Sequence, residues 1–137
     1  MQNPPPVQSG KSSTGLDENV ASLIAYLAGW VSGLIFFLIE KSSRLVRFHA
    51  MQSILFNVVV GVVWIVIVII VSILVLILGQ VSNALAGIVS LLSVLLYLLA
   101  GVGTLILWVM CLIKAYQGQM YKLPIIGEYA EKFSAPK

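Results

Sequence analysis

The chain has 137 residues, of which 60% are hydrophobic and only 9% charged, with a formal net charge of +3. A soluble domain is about 25% charged, so this composition excludes an ordinary water-soluble globule. The small positive charge gives no case for nucleic-acid binding, which calls for a basic patch on a soluble face.

The first eighteen residues are rich in Pro, Ser and Gly and predict a disordered tail. A secretory signal peptide fits poorly, because Asp17, Glu18 and Asn19 precede the apolar run where basic residues belong. Those three residues suit a helix start, with acids near the N-terminal dipole.

Three uncharged runs follow, with His49 neutral: Val20 to Ile39, Phe48 to Leu78 and Leu85 to Ile113. Twenty helical residues rise about 30 Å, the thickness of the hydrocarbon layer. The runs therefore predict an all-α, polytopic integral membrane protein with three transmembrane helices over 20–39, 48–78 and 85–113, in a membrane domain covering 19–113. Four spans is the alternative. A β-barrel is excluded because VVVGVVWIVIVIIVSILVLIL does not alternate apolar with polar residues, as barrel strands must. Lipid also favours a segment that pairs its own backbone groups, despite the β-branched content.

Three crossings place Lys41, Arg44, Arg47, Lys114, Lys122, Lys132 and Lys137 on one face and Lys11 alone on the other. The positive-inside rule then predicts a prokaryotic cytoplasmic membrane protein with its N-terminus outside and its C-terminus cytoplasmic.

Within the spans, small and polar residues gather on stripes that mark faces for protein contact. Gly29 and Gly33 form a G-x-x-x-G in the first run, Asn57 and Gly61 belong to a broader stripe in the second, and Gly101 and Thr104 belong to a stripe with Ser90, Ser93, Tyr97 and Trp108 in the third. These six residues are the candidate helix-packing positions.

No Asp, Glu, Lys or Arg lies inside any run, and no paired aspartates, serine with histidine at depth, or H-E-x-x-H is present. A charge-coupled transporter or an intramembrane protease needs such groups, so the sequence predicts no enzyme, no catalytic residue and no metal or cofactor. The lone Cys111 reads as a small packing residue. Arg47, Phe48, His49 and Gln52, in R-F-H-A-M-Q-S, form a candidate interaction motif. One reading is an interfacial anchor, and the other is a polar contact that pins the first span to the second or receives a partner.

The segment 114–137 alternates aromatic and basic residues and predicts an interfacial, cytoplasmic tail, with Tyr121, Lys122, Pro124 and Gly127 as its marked positions.

The stretches N-V-A-S-L-I-A-Y-L-A-G-W-V-S-G, E-K-S-S-R-L-V-R-F-H-A-M-Q-S and A-Y-Q-G-Q-M-Y-K-L-P-I-I-G-E together resemble a prokaryotic family of small membrane proteins related to the Tic-twenty component of the chloroplast import translocon. The resemblance implies a helical bundle without catalytic residues, related to part of a protein-translocating assembly, and carries a role over to Arg47, Phe48 and His49. The sequence thus predicts a non-enzymatic scaffold or accessory subunit of a membrane assembly, linked to protein translocation or insertion. Its partners are the lipid bilayer and either other membrane proteins or further copies of itself. A homo-oligomeric channel or transporter, lined by the Ser90, Tyr97 and Thr104 stripe, is the alternative. A lipid-binding role for the basic loop is a third reading.

Overall fold

A computed structural model describes residues 10–135 of the chain, which are helical apart from short connections. The helices are α1 (Glu18–Leu27), α2 (Trp30–Ile39), α3 (Arg44–Val81), α4 (Asn83–Tyr116) and α5 (Ile126–Ser134). Only α3 and α4 have the length and apolar character to cross a membrane.

The predicted span over 20–39 is corrected by this order. Its residues form two helices of ten residues each, packed on one another and separated at Ala28 and Gly29. Each leg is about 15 Å long, half the hydrocarbon thickness. The break has a local cause. Gly29 sits at φ +62°, a left-handed conformation that only glycine adopts freely, and α2 starts afresh from it. Hydropathy alone could not distinguish a continuous twenty-residue helix from two apolar legs joined at a glycine. The structure therefore has two long spans in place of three, and the alternative of four is likewise not met.

The spans predicted over 48–78 and 85–113 appear within α3 and α4, extended at both ends. Ser43 starts α3, its hydroxyl accepting the Val46 N–H at 3.2 Å as a helix cap. Gly118, at φ +71°, ends the helical path after Tyr116.

The chain divides into two compact units. The first comprises 10–58 and 108–135 of the described residues, and holds α1, α2, α5, the start of α3 and the end of α4. Its apolar core is Ala21, Ala25, Phe36, Val46 and Ala50, with Ile24 and Phe37 against it. The small side chains let helices approach: a Cβ added at Gly33 would stand 2.9 Å from the Ala50 carbonyl oxygen and 3.1 Å from Ser53 Cβ. Gly33 is thus a close-approach position, and Gly29 a breaker. The G-x-x-x-G does not lie on one continuous helix.

The second unit, 59–107, contains only stretches of α3 and α4 with the turn between them. Trp64 and Tyr97 rings meet across it at 5.9 Å. Ser93 is its single buried residue among those described, while Val62, Ile65, Ile69, Ile73, Leu91 and Leu98 are exposed. Such an apolar exterior is unfavourable in water and matches hydrocarbon.

Of the predicted disordered tail over 1–18, residues 1–9 lie outside the described residues. From Gly10 the chain makes a turn in which Ser12 N–H donates to Leu16 O at 2.8 Å, and Lys11 pairs with Asp17.

Candidate functional site

The polar residues of the first unit make two connected sites, one where the hairpin breaks and one where the C-terminal segment docks. At the break Gly29 N–H turns to Tyr26 O at 3.1 Å, which leaves Ala25 O without its helical donor, and inside a membrane no water replaces it. Side chains do so instead. Ser32 Oγ donates to Ala25 O at 3.0 Å and accepts the Ala28 N–H at 3.0 Å. Ser53 Oγ, from α3, donates to Gly29 O at 3.0 Å. Trp108 Nε1, from α4, donates to Tyr26 O at 3.0 Å. Asn57 donates to Ser53 O at 2.8 Å within α3, and its side chain lies against Gly29.

The second site centres on Tyr26, His49 and Gln52, all fully buried. His49 Nε2 lies 2.8 Å from Gln119 O, and a carbonyl can only accept, so Nε2 carries the proton. Nδ1 is then the acceptor, and the Tyr26 hydroxyl donates to it at 2.8 Å. Gln52 Nε2 in turn donates to the Tyr26 oxygen at 3.1 Å and to Tyr121 O at 2.9 Å, while its Oε1 accepts the Leu123 N–H at 3.2 Å. His49 and Gln52 hold alternate main-chain groups of one extended stretch, residues 119, 121 and 123, and the Tyr26 hydroxyl links the two side chains. The imidazole has no lone pair left for a metal, and no cluster of three or more His, Cys, Asp or Glu side chains occurs among the described residues.

Charged groups close the same end of the unit. Arg47 donates to Glu40 O at 2.7 Å, Phe37 O at 3.3 Å and Ser134 O at 3.2 Å, and its guanidinium stands 4.5 Å over the Phe37 ring. It thereby satisfies carbonyls at the C-terminal ends of both α2 and α5. Glu131 pairs with Arg44 and Lys122. Glu40 is buried at the head of the 40–43 loop and accepts from Ser13 N and Oγ, Ser42 N and Oγ, and Ser43 N at 2.7–2.9 Å. Burial pushes its carboxyl upward, but the hydrogen bonds from Ser43, Ser13 and Ser42 outweigh that and hold it at about 2.

Among the predicted interaction residues, Arg47, His49 and Gln52 converge on the C-terminal segment. Phe48 packs edge-on to His49 at 5.1 Å. Of the tail residues, Tyr121 supplies a carbonyl, Lys122 an ion pair, and Pro124 the carbonyl of a tight turn to Ile126 N–H at 2.7 Å. Gly127 lies so close to the Lys122 main chain that a side chain there would overlap it. The packing candidates divide differently. Gly29, Gly33 and Asn57 lie at the hairpin, whereas a Cβ at Gly61 or Gly101 would meet nothing within 4 Å and Thr104 Oγ1 bonds to its own helix at Ala100 O, 2.9 Å.

Sequence reasoning overlooked Glu40, Ser13, Ser32 and the hydrogen-bonding part of Trp108. The serines on either side of Glu40, in E-K-S-S, were the available signal.

A family model matches residues 16–130, a range that contains the hairpin, the docked segment and both marked motifs. The chain belongs to the magnetosome magnetite crystal formation protein family. The resemblance to the Tic-twenty family is corrected by that match, since R-F-H-A-M-Q-S and Y-K-L-P-I-I-G fall inside a different family's pattern.

Curated relatives of this family member are archaeal. A UPF0132 membrane protein of Methanocaldococcus jannaschii is 38% identical over 91% of this chain and 96% of its own. A second from that organism is 35% identical over 87% of this chain and 71% of its own. A UPF0132 membrane protein of Archaeoglobus fulgidus is 32% identical over 85% and 95%. No solved structure matches the chain. Membrane residence is therefore shared with relatives that align over nearly the whole chain.

Proposed function

We propose that this family member is a non-enzymatic membrane scaffold. In this reading α3 and α4 cross the bilayer, and the α1–α2 hairpin enters from one side and returns to it. The observation that carries the reading is the capped break at Gly29. Irregular backbone at membrane depth is tolerated only where protein satisfies it, and Ser32, Ser53 and Trp108 do that here.

The depth agrees with a re-entrant hairpin. Gly29 packs at Asn57, ten residues or about 15 Å along α3 from Arg47, whose charge belongs at the headgroups. A chain that crosses twice brings the N-terminal segment, the 40–43 loop and the C-terminal segment to one side, as the Ser13–Glu40 and Arg47–Ser134 bonds require. All seven basic residues from Lys11 to Lys132 then share that side, and the turn at Ser82 has none. The positive-inside rule makes that side cytoplasmic, with the N-terminus there and not outside.

The family's description concerns magnetite crystal formation in magnetosomes. In this chain four of the five acids, Asp17, Glu18, Glu40 and Glu131, are engaged by Lys11, Gly10 N–H, the serine cluster, and Arg44 with Lys122, and Glu128 alone is exposed without such a partner among the described residues. That supports a part in the membrane assembly over direct contact with mineral. The channel reading gains less support, because Ser90, Ser93 and Thr104 all donate to carbonyls of their own helix.

Single cysteines at Thr14, Ser82 and Lys132, probed from outside intact cells, test the topology. Labelling of Ser82→Cys alone is expected, and labelling of Thr14→Cys would restore the three-span arrangement. Affinity capture of gently solubilised protein tests the scaffold: stoichiometric recovery of other membrane proteins is expected, and a homo-oligomer with ion flux in liposomes would replace the reading with a channel.

A further inference from the structure

The network of Tyr26, His49 and Gln52 presents a fixed face to the C-terminal segment. The Tyr26 hydroxyl donates to His49 Nδ1 and accepts one N–H of Gln52, which sets the imidazole tautomer and the amide orientation. Three groups remain: the His49 Nε2–H, the second Gln52 N–H and Gln52 Oε1. They meet Gln119 O at 2.8 Å, Tyr121 O at 2.9 Å and the Leu123 N–H at 3.2 Å. Alternate residues of an extended chain present their main-chain groups on one edge, so this face of donor, donor and acceptor is complementary to a peptide edge. From 119 to 123 only the Leu123 side chain is buried with it.

The rest of the segment is held by side-chain packing and by exposed charges. Gly127, Ala130 and Ser134 form the inner face of α5, and Arg47 donates to Ser134 O. Glu131 pairs with Arg44 and Lys122 at positions where solvent screens the charges. The link to α4 is a tight reversal at Gln117 and Gly118. Gly118, at φ +71°, donates to Ala115 O, and the Gln119 N–H donates to Lys114 O, both at 3.0 Å.

We propose that two copies of this chain exchange their C-terminal segments, each docking residues 119–134 on the other's Tyr26, His49 and Gln52. An empty clamp would uncover three polar groups and the apolar seat of Leu123. A foreign peptide in the clamp would leave the displaced segment uncovered, with Leu123 and the inner face of α5 in the open. Exchange between two copies leaves neither, because the contacts of 119–134 are kept and only the reversal at Gln117 and Gly118 opens. Two extended residues reach about 7 Å, so the α4 ends of the two copies stand side by side. The balance between closed and exchanged forms then turns on the hinge and on the density of copies. Exchange draws on the first unit alone and does not depend on the scaffold role.

Full-length chains of two kinds, co-expressed and treated in their membranes with a water-soluble carbodiimide, test the exchange. One carries Arg44→Lys with Glu131→Gln, and the other carries Lys122→Arg. Position 44 of the first chain can then reach Glu131 only across chains, and those two positions stand 3.2 Å apart in the docked segment. An amide joining position 44 of one chain to Glu131 of the other is expected. Gly118→Val in both chains strains the closed reversal and should raise that product about tenfold, since an extended hinge relieves the strain. Gln52→Leu in the first chain removes two of the three clamp groups and should lower it about fivefold. A chain with Arg44→Lys alone should couple to its own Glu131. That intrachain coupling with no product between chains overturns the exchange, as does an interchain product indifferent to both Gly118→Val and Gln52→Leu, the mark of chance collision. Coupling of position 44 to a different protein would make that protein the occupant and overturn it likewise.

Discussion

The two units handle polar groups in opposite ways. In the first, a hydroxyl or amide usually reaches across to another element: Tyr26 to His49, Gln52 to the 121–123 main chain, Ser53 to Gly29 O, and Trp108 to Tyr26 O. In the second, Ser90, Ser93 and Thr104 turn back onto their own helices. The difference teaches that a polar residue in an apolar run has two meanings. It either joins elements where the backbone is irregular, or hides its hydroxyl on a helix that needs no help.

The largest break in that contrast is expected at the glycines. Gly33→Ile forces a branched side chain against the Ala50 carbonyl and should cost more than about 3 kcal/mol, read as a fall in thermal unfolding midpoint in mild detergent. Gly101→Ala, with open space around it, should leave the midpoint unchanged or raise it slightly. An equal response at both sites would erase the distinction between the units.

Glu40→Gln is expected next, with a loss on the order of 3 kcal/mol, since the carboxyl held at about 2 is normally near 4.5. The folded state prefers the ionised form, so this contribution is present above pH 4.5 and is lost as pH falls from there towards 2. The first unit should loosen in that window, followed by proteolysis near Ser13, and Glu40→Gln should flatten the dependence. A wild-type acid profile in the variant would remove Glu40 as its source.

Gln52→Leu leaves Tyr121 O and Leu123 N–H without partners and should cost about 2 kcal/mol, releasing the C-terminal segment to amide exchange at 119–123. Ser90→Ala removes only a bond to Ala86 O and should move the midpoint by less than about 0.5 kcal/mol. Exchange that rises as much in the second variant as in the first would mean that Gln52 is not the clamp.

R-F-H-A-M-Q-S and the segment from Tyr121 to Gly127 stand about seventy residues apart, and their meeting through His49, Gln52 and the main chain of 119–123 is a long-range fact that neither spacing contains. The topology differs for a related reason. Three crossings set Lys11 apart from the other cations, and that number holds only if 20–39 is one rod.

Composition and uninterrupted apolar runs determined by themselves that the chain is helical and resides in lipid, because only helices and closed barrels pair their backbone groups there and these runs lack the alternation of barrel strands. They also located α3, α4 and the turn between them, both helices being longer than the roughly 20 residues that a bilayer requires. Only the tertiary structure decided that the first run bends back at Gly29. A glycine in an apolar stretch is compatible with a continuous helix or a hairpin. The choice falls to whether other side chains, here Ser53 and Trp108, stand where the carbonyls at the bend can take a second donor.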